Sequence, residues 1–135
     1  MTRFLGRGAR VVIAILTVAL LGGCAGSAGY ASHRFESEDE LKSVLALAGV
    51  DCSQFPTDDK AATQASLVKY GFDSLPCDDA AATIWRTETD RVSIQSKSWN
   101  ALKPGYSQIE GSNWTLMVAT RRVAEVNKTL KGNVA

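Results

Sequence analysis

The sequence has few residues of the kinds that build reactive sites. It contains one histidine, His33, and three cysteines in 135 residues, and it has no C-x-x-C, H-E-x-x-H or G-x-S-x-G motif. Zinc sites and the common hydrolase sites need such clusters, because ligands or a nucleophile and its base must converge. The sequence therefore predicts no metal, no cofactor and no enzymatic activity.

A strong charge of either sign is also missing. The formal net charge is +1, and residues 1–23 hold three arginines and no acid. The rest of the chain is therefore mildly acidic, with a net charge of −2 from 12 basic and 14 acidic residues. Such a balance gives no electrostatic basis for nucleic-acid binding. With 45% hydrophobic residues, the composition is ordinary for one globular domain.

Long apolar runs are absent except for one near the start of the chain. Val11–Leu21 is apolar throughout, and Arg3, Arg7 and Arg10 precede it. A helix of eleven residues is about 16 Å long, which is too short for a bilayer core of about 30 Å. An arginine-containing start, an apolar centre and small residues behind them are typical of a secretory signal peptide. We therefore expect residues 1–23 to be removed on export.

The end of this run resembles the bacterial lipobox. Leu21 occupies the aliphatic position, Gly22 and Gly23 the small positions, and Cys24 the invariant cysteine. The resemblance implies diacylglycerol attachment to the Cys24 sulfur, cleavage before Cys24, and a lipid anchor on the outer face of the cell membrane. An uncleaved signal anchor, or a plain signal peptide with a stray cysteine, is the alternative. Small residues dominate 25–32, so residues 24–35 are predicted to be a lipidated, flexible tether.

Two cysteines remain for the domain expected over residues 36–135. In an exported chain, Cys52 and Cys77 predict one disulfide. Two buried free thiols, a metal pair or a catalytic redox pair are the alternatives. The wide spacing and the single histidine disfavour the metal and redox interpretations.

The pattern of the domain predicts an α+β fold. Ser37 and Glu40 form a capping box, and an apolar face follows, so a helix is expected over 37–48, ended by Gly49. Further along, we expect strands over 66–75, 82–87 and 114–119, and helices over 91–102 and 120–130. The expected order is α-β-β-α-β-α, with the helices on one face of a short sheet.

The domain resembles small exported lipoproteins of actinobacteria, a largely uncharacterised group. The similar features are the helix ending Ala48-Gly49-Val50-Asp51-Cys52, a second cysteine before a strand, and Gly111-Ser112-Asn113-Trp114 near the end. The resemblance covers about residues 36–132. Ile84-Trp85-Arg86 is more aromatic than that group would lead us to expect.

A few side chains are candidates for a contact surface. Arg121 and Arg122 are expected in the first turn of a helix, where the helix dipole disfavours positive charge. Asn113 and Trp114 could bind a sugar, although a structural role is favoured. The full set of candidates is Arg121, Arg122, Trp99, Asn113 and Trp114.

These features favour an envelope binding or interaction module held by a lipid anchor. Its partners would be the membrane and an envelope protein or glycan. A phage- or prophage-encoded lipoprotein that excludes superinfection is one alternative. The other is a glycan binder or weak hydrolase, in which Glu88 or Asp90 would converge with Glu110.

Overall fold

The architecture combines helices with one antiparallel sheet. The computed structural model describes residues 28–56, 59–98 and 104–135. Within these ranges the helices are α1 (Glu38–Leu47), α2 (Lys60–Tyr70), α3 (Glu88–Ser98) and α4 (Val123–Leu130), and the strands are β1 (Phe72–Pro76), β2 (Ala80–Trp85), β3 (Tyr106–Glu110), β4 (Trp114–Ala119) and β5 (Asn133–Val134). The strand order is β1-β2-β4-β3-β5, so β4 lies at the centre. The predicted α+β class is confirmed.

Helix α1 forms over nearly the same residues as the sequence pattern predicted. The Ser37 hydroxyl accepts a hydrogen bond from the Glu40 amide at 3.2 Å, which satisfies one of the free donors of the first turn. The helix ends at Gly49, whose φ is +81°. Val50 N–H then bonds to Leu45 O at 2.9 Å and its side chain is fully buried. These contacts form a Schellman C-cap, as expected from the sequence.

The expected strand over 66–75 is wrong for its first half. Residues up to Tyr70 belong to α2, and β1 starts only at Phe72. Asp59 caps the helix through the Ala62 amide, and Gly71, at φ +82°, ends it. Val68 and Tyr70 suggested a strand, but they lie on the solvent side of the helix, 72% and 55% exposed. Residues on an exposed helix face carry no information about strand pairing.

Strands β1 and β2 form an antiparallel hairpin, closed by the Cys77 amide donating to Ala80 O at 3.0 Å. The predicted disulfide is confirmed. Cys52 and Cys77 are bonded at 2.07 Å, and both are buried. The bridge ties the hairpin turn to the loop that follows α1.

Two strands extend the order predicted from the sequence. The first is β3, in which only Ile109 is apolar and fully buried, while its neighbours Gln108 and Glu110 are polar. A strand with one core-facing apolar residue shows too little alternation to be recognised. The second is β5, two residues long, which pairs with Ile109 and Glu110. With these two strands and the additional helix α2, the expected order α-β-β-α-β-α becomes α-α-β-β-α-β-β-α-β.

The sheet has two different faces. One face carries the main core, which α1, α2 and α4 cover with residues such as Leu45, Leu67 and Val126. Helix α3 departs from the expected placement of all helices on one face. Its Arg91 bonds to Glu110 at 2.7 Å, and Glu110 lies beside Thr115, whose side chain points away from the main core.

The last six residues of the segment predicted to be a tether, 24–35, belong to the domain. The Tyr30 amide donates to Leu130 O at 2.7 Å, and the Trp114 indole donates to Tyr30 O at 3.0 Å. Phe35 is 2% exposed and is part of the core. The described domain therefore begins at Tyr30, six residues before the expected boundary at residue 36.

Candidate functional site

The predicted lipidation motif lies outside the described residues. This applies to Leu21, Gly22, Gly23 and Cys24, and also to Trp99. The structure does describe the point where the chain joins the domain, at Tyr30. Cys24 and Tyr30 are six residues apart. Even a fully extended chain of that length places them at most about 20 Å from each other.

The two ends of β4 define two poles of the domain. The first, which we call the anchor pole, contains Tyr30, Phe35 and Asn113 at the start of β4. The second, which we call the disulfide pole, contains the end of β4 and the Cys52–Cys77 bridge. At about 3.3 Å per residue, β4 separates them by roughly 17 Å.

Asn113 and Trp114 do not form a contact surface, because both are buried. The Asn113 amide oxygen accepts from Phe35 N–H at 2.9 Å, and its amide nitrogen donates to Phe35 O at 2.9 Å. Trp114 is 1% exposed and packs edge-on against Phe35. Together they fix the segment containing Tyr30 and Phe35 to the sheet. The burial of both side chains favours the structural role of this pair over sugar binding.

Arg121 and Arg122 lie at the disulfide pole and differ from one another. Arg122 donates to both carboxylate oxygens of Asp79, at 2.9 and 2.8 Å, and to Gly49 O at 2.6 Å. The bond to Asp79 raises the pKa of Arg122, and the bond to Gly49 places positive charge at the carboxyl end of α1, where the helix dipole favours it. Arg121 is exposed and makes no hydrogen bond or ion pair with the described residues.

The helix-dipole objection to these two arginines does not apply to the observed structure. A 3₁₀ turn spans Thr120–Arg122, and α4 begins only at Val123. Arg122 thus has a structural role between α1 and the β1–β2 turn. Of the two arginines, Arg121 is the one whose side chain is free to contact another molecule.

A cleft of about 260 Å³ opens at the anchor pole, and we call it the Arg34 cleft. It lies between the segment that follows Tyr30, the middle of α2 and the adjacent ends of β2 and β4. Its lining residues are Arg34, Phe35, Glu36, Gln64, Leu67, Trp85, Arg86 and Asn113. Sequence reasoning missed it, since its residues come from four separate parts of the chain and no motif joins them.

The charged groups of the Arg34 cleft are paired with one exception. Arg86 donates from Nε and Nη2 to Asp90, at 2.9 and 3.1 Å, and from Nη1 to Val68 O. The bond to Arg86 lowers the pKa of Asp90. Glu36 is paired with Lys60, which raises the pKa of that lysine. Arg34 is exposed and has no such partner in the described chain.

The acids considered for a hydrolase do converge in part. Glu88 and Glu110 both bind the guanidinium of Arg91, whereas Asp90 is turned toward Arg86. The hydrogen bond from Arg91 lowers the pKa of Glu88. A general acid needs a raised pKa to keep its proton near neutral pH. The arrangement therefore binds two carboxylates to one arginine and does not favour acid catalysis.

No group of three or more histidine, cysteine, aspartate or glutamate residues within 28–56, 59–98 and 104–135 could hold a metal ion. No helix in these ranges has the length and apolar character needed to cross a membrane. Comparisons of the chain with protein-family models, with curated proteins and with solved structures find no match.

Proposed function

We propose that this protein is an exported lipoprotein, anchored to a membrane through Cys24, that acts as a binding or interaction module of the cell envelope. The sequence Leu21-Gly22-Gly23-Cys24 behind an apolar run supports the anchor. The Cys52–Cys77 disulfide supports export, because such bonds persist mainly in oxidising compartments outside the cytosol.

The observation that carries the proposal is the attachment of Tyr30 to the folded domain, six residues after Cys24. A spacer with a reach of about 20 Å is comparable with the length of β4. A domain held so closely has a preferred orientation, with the anchor pole toward the lipid headgroups and the disulfide pole away from them. A long flexible tether would not impose a preferred orientation on the domain.

This orientation assigns the partner-facing surface to the disulfide pole. Arg121 extends from it without an internal partner. Beside it, a depression of about 210 Å³ is lined by Asp78, Asp79, Tyr106 and Met117 among other residues. Charged groups around an apolar floor are a usual composition for a protein-binding surface. An envelope protein is therefore the partner that this surface suits best.

The proposal is tested by photo-crosslinking in cells. A photoreactive amino acid at Arg121 should capture an envelope protein, and the same amino acid at Ser112, which is exposed at the anchor pole, should not. The captured product should disappear in Cys24→Ala, which cannot be acylated.

Equal capture from Arg121 and Ser112 would contradict the assigned orientation. Capture that persists unchanged in Cys24→Ala would contradict the requirement for a lipid anchor. Near-ultraviolet circular dichroism of Cys24→Ala serves as the folding control, because the variant leaves residues from Tyr30 onward unchanged.

A further inference from the structure

The Arg34 cleft combines features of a small anion site. Its volume of about 260 Å³ is below the range of about 300–1,000 Å³ that is usual for pockets binding whole drug-sized ligands. It therefore suits a compact group and not a chain of sugars. Three of the lining residues are charged, namely Arg34, Glu36 and Arg86, and their net charge is +1.

The distribution of that charge singles out Arg34. Both carboxylates near the cleft have cationic partners, since Glu36 pairs with Lys60 and Asp90 pairs with Arg86. The five N–H donors of Arg34 have no acceptor in the described chain. A planar guanidinium with all donors available is the side chain best suited to bind two oxygens of one anion.

Two further side chains add donors to the same cleft. Arg86 uses three of its five N–H groups for Asp90 and Val68 O, so two remain. Gln64 donates from its amide nitrogen to Glu36 O at 3.1 Å and keeps a second N–H. The ion pair with Asp90 also fixes the orientation of Arg86, which reduces the entropy lost when an anion binds.

We propose that the Arg34 cleft binds a phosphate group. Arg34 supplies the charge and a two-point contact, and Arg86 and Gln64 complete the set of donors. This inference deepens the proposed function and rests on it for the source of the phosphate. With the anchor pole within about 20 Å of the acylated Cys24, the phosphates of lipid headgroups are the nearest supply. Binding one would hold the domain in a single orientation on the membrane.

The test uses the full, lipidated protein in a neutral maltoside detergent at constant ionic strength. Two probes are titrated by calorimetry, inorganic phosphate and dihexanoyl phosphatidylglycerol below its micelle concentration. Arg34→Gln should raise the dissociation constant about tenfold or more, which is the size expected for losing a charge-assisted hydrogen bond. Arg121→Gln, which removes another exposed arginine from the opposite pole, should change it less than about twofold.

The two probes distinguish the sources of the phosphate. Arg34-dependent binding of phosphatidylglycerol alone supports a lipid headgroup in the cleft, and equal binding of both probes supports recognition of the phosphate group itself. The proposal is overturned if neither probe binds saturably below about 10 mM. It is also overturned if Arg34→Gln binds like the unchanged protein, or if Arg121→Gln loses as much affinity.

This experiment is independent of the crosslinking experiment. It contains no envelope partner, so an absence of binding would remove the phosphate assignment and leave the interaction module standing. Conversely, a crosslinking experiment that captures nothing would not affect an Arg34-dependent affinity. Arg34 is exposed and makes no hydrogen bond or ion pair with the described residues, so Arg34→Gln should keep the circular dichroism spectrum of the unchanged protein.

Discussion

At the scale of single residues, the structure separates side chains that look equivalent in the sequence. Arg121 and Arg122 are adjacent and identical, yet only Arg122 bridges α1 to the β1–β2 turn. Its partners Asp79 and Gly49 lie 43 and 73 positions away. Local reasoning cannot find such partners, and for the same reason it missed the cleft around Arg34. It did favour a structural role for Asn113, which the hydrogen bonds to Phe35 confirm.

Asn113 provides the sharpest prediction at this scale. Asn113→Ala leaves the buried N–H and C=O of Phe35 without partners, and an unsatisfied buried polar group costs about 1–3 kcal/mol. We expect the free energy of unfolding, measured by urea denaturation, to fall by about 2–3 kcal/mol.

The matched control is Asn133→Ala in β5, where the asparagine is exposed. It should change the free energy of unfolding by less than about 0.5 kcal/mol. Equal effects of the two substitutions would mean that the Asn113–Phe35 bonds do not fasten the N-terminal segment.

At the scale of elements, the sequence was informative where the signals are local. Helix α1 has its cap, its apolar face and its glycine stop within the thirteen residues 37–49, and it was predicted nearly to its ends. Helix α2 was confused with a strand, because Val68 and Tyr70 lie on its exposed side. Strand β3 was missed because its composition does not indicate a strand. It is a strand because it pairs with β4. The face on which α3 packs depends on the distant pair Arg91–Glu110.

The junction between α2 and β1 can be tested with a pair of glycines. Gly71 and Gly105 have nearly the same φ, +82° and +85°, so alanine is strained at both, at a cost of about 1–2 kcal/mol. A Cβ at Gly71 would also lie 3.0 Å from the Asp90 carboxylate, whereas one at Gly105 meets nothing within 4 Å.

We therefore expect Gly71→Ala to lower the melting temperature more than Gly105→Ala does, in a thermal melt followed by circular dichroism. The reason is that Asp90 must shift and weaken its ion pair with Arg86. A larger effect of Gly105→Ala would contradict the role given to Gly71 as the C-cap of α2.

At the scale of the whole molecule, the disulfide, the sheet and the N-terminal attachment give the domain two unlike poles. The bridge closes a loop of 25 residues between α1 and the β1–β2 hairpin. The sequence predicted this bond from the two cysteines that remain in a domain expected to be exported. The attachment at Tyr30 could not be predicted, because the small residues before it suggested a longer tether.

Removal of the bridge should be costly for a domain of this size. In the chain-entropy model, a loop of 25 residues contributes on the order of 3.5 kcal/mol. The double variant Cys52→Ser/Cys77→Ser should lose about that much free energy of unfolding in urea.

The control is dithiothreitol, which should have the same effect on the unchanged protein and none on the variant. A double variant as stable as the unchanged protein would contradict the structural role of the bridge.

The proposed anchor at Cys24 determines the orientation of the domain, and intact-mass spectrometry of the protein recovered from membranes tests it most directly. We predict a chain that begins at Cys24 and carries the added mass of a diacylglyceryl group, lost in Cys24→Ala. A chain that keeps residues 1–23, or one that starts at Cys24 without added lipid, would contradict the anchored module and the orientation derived from it.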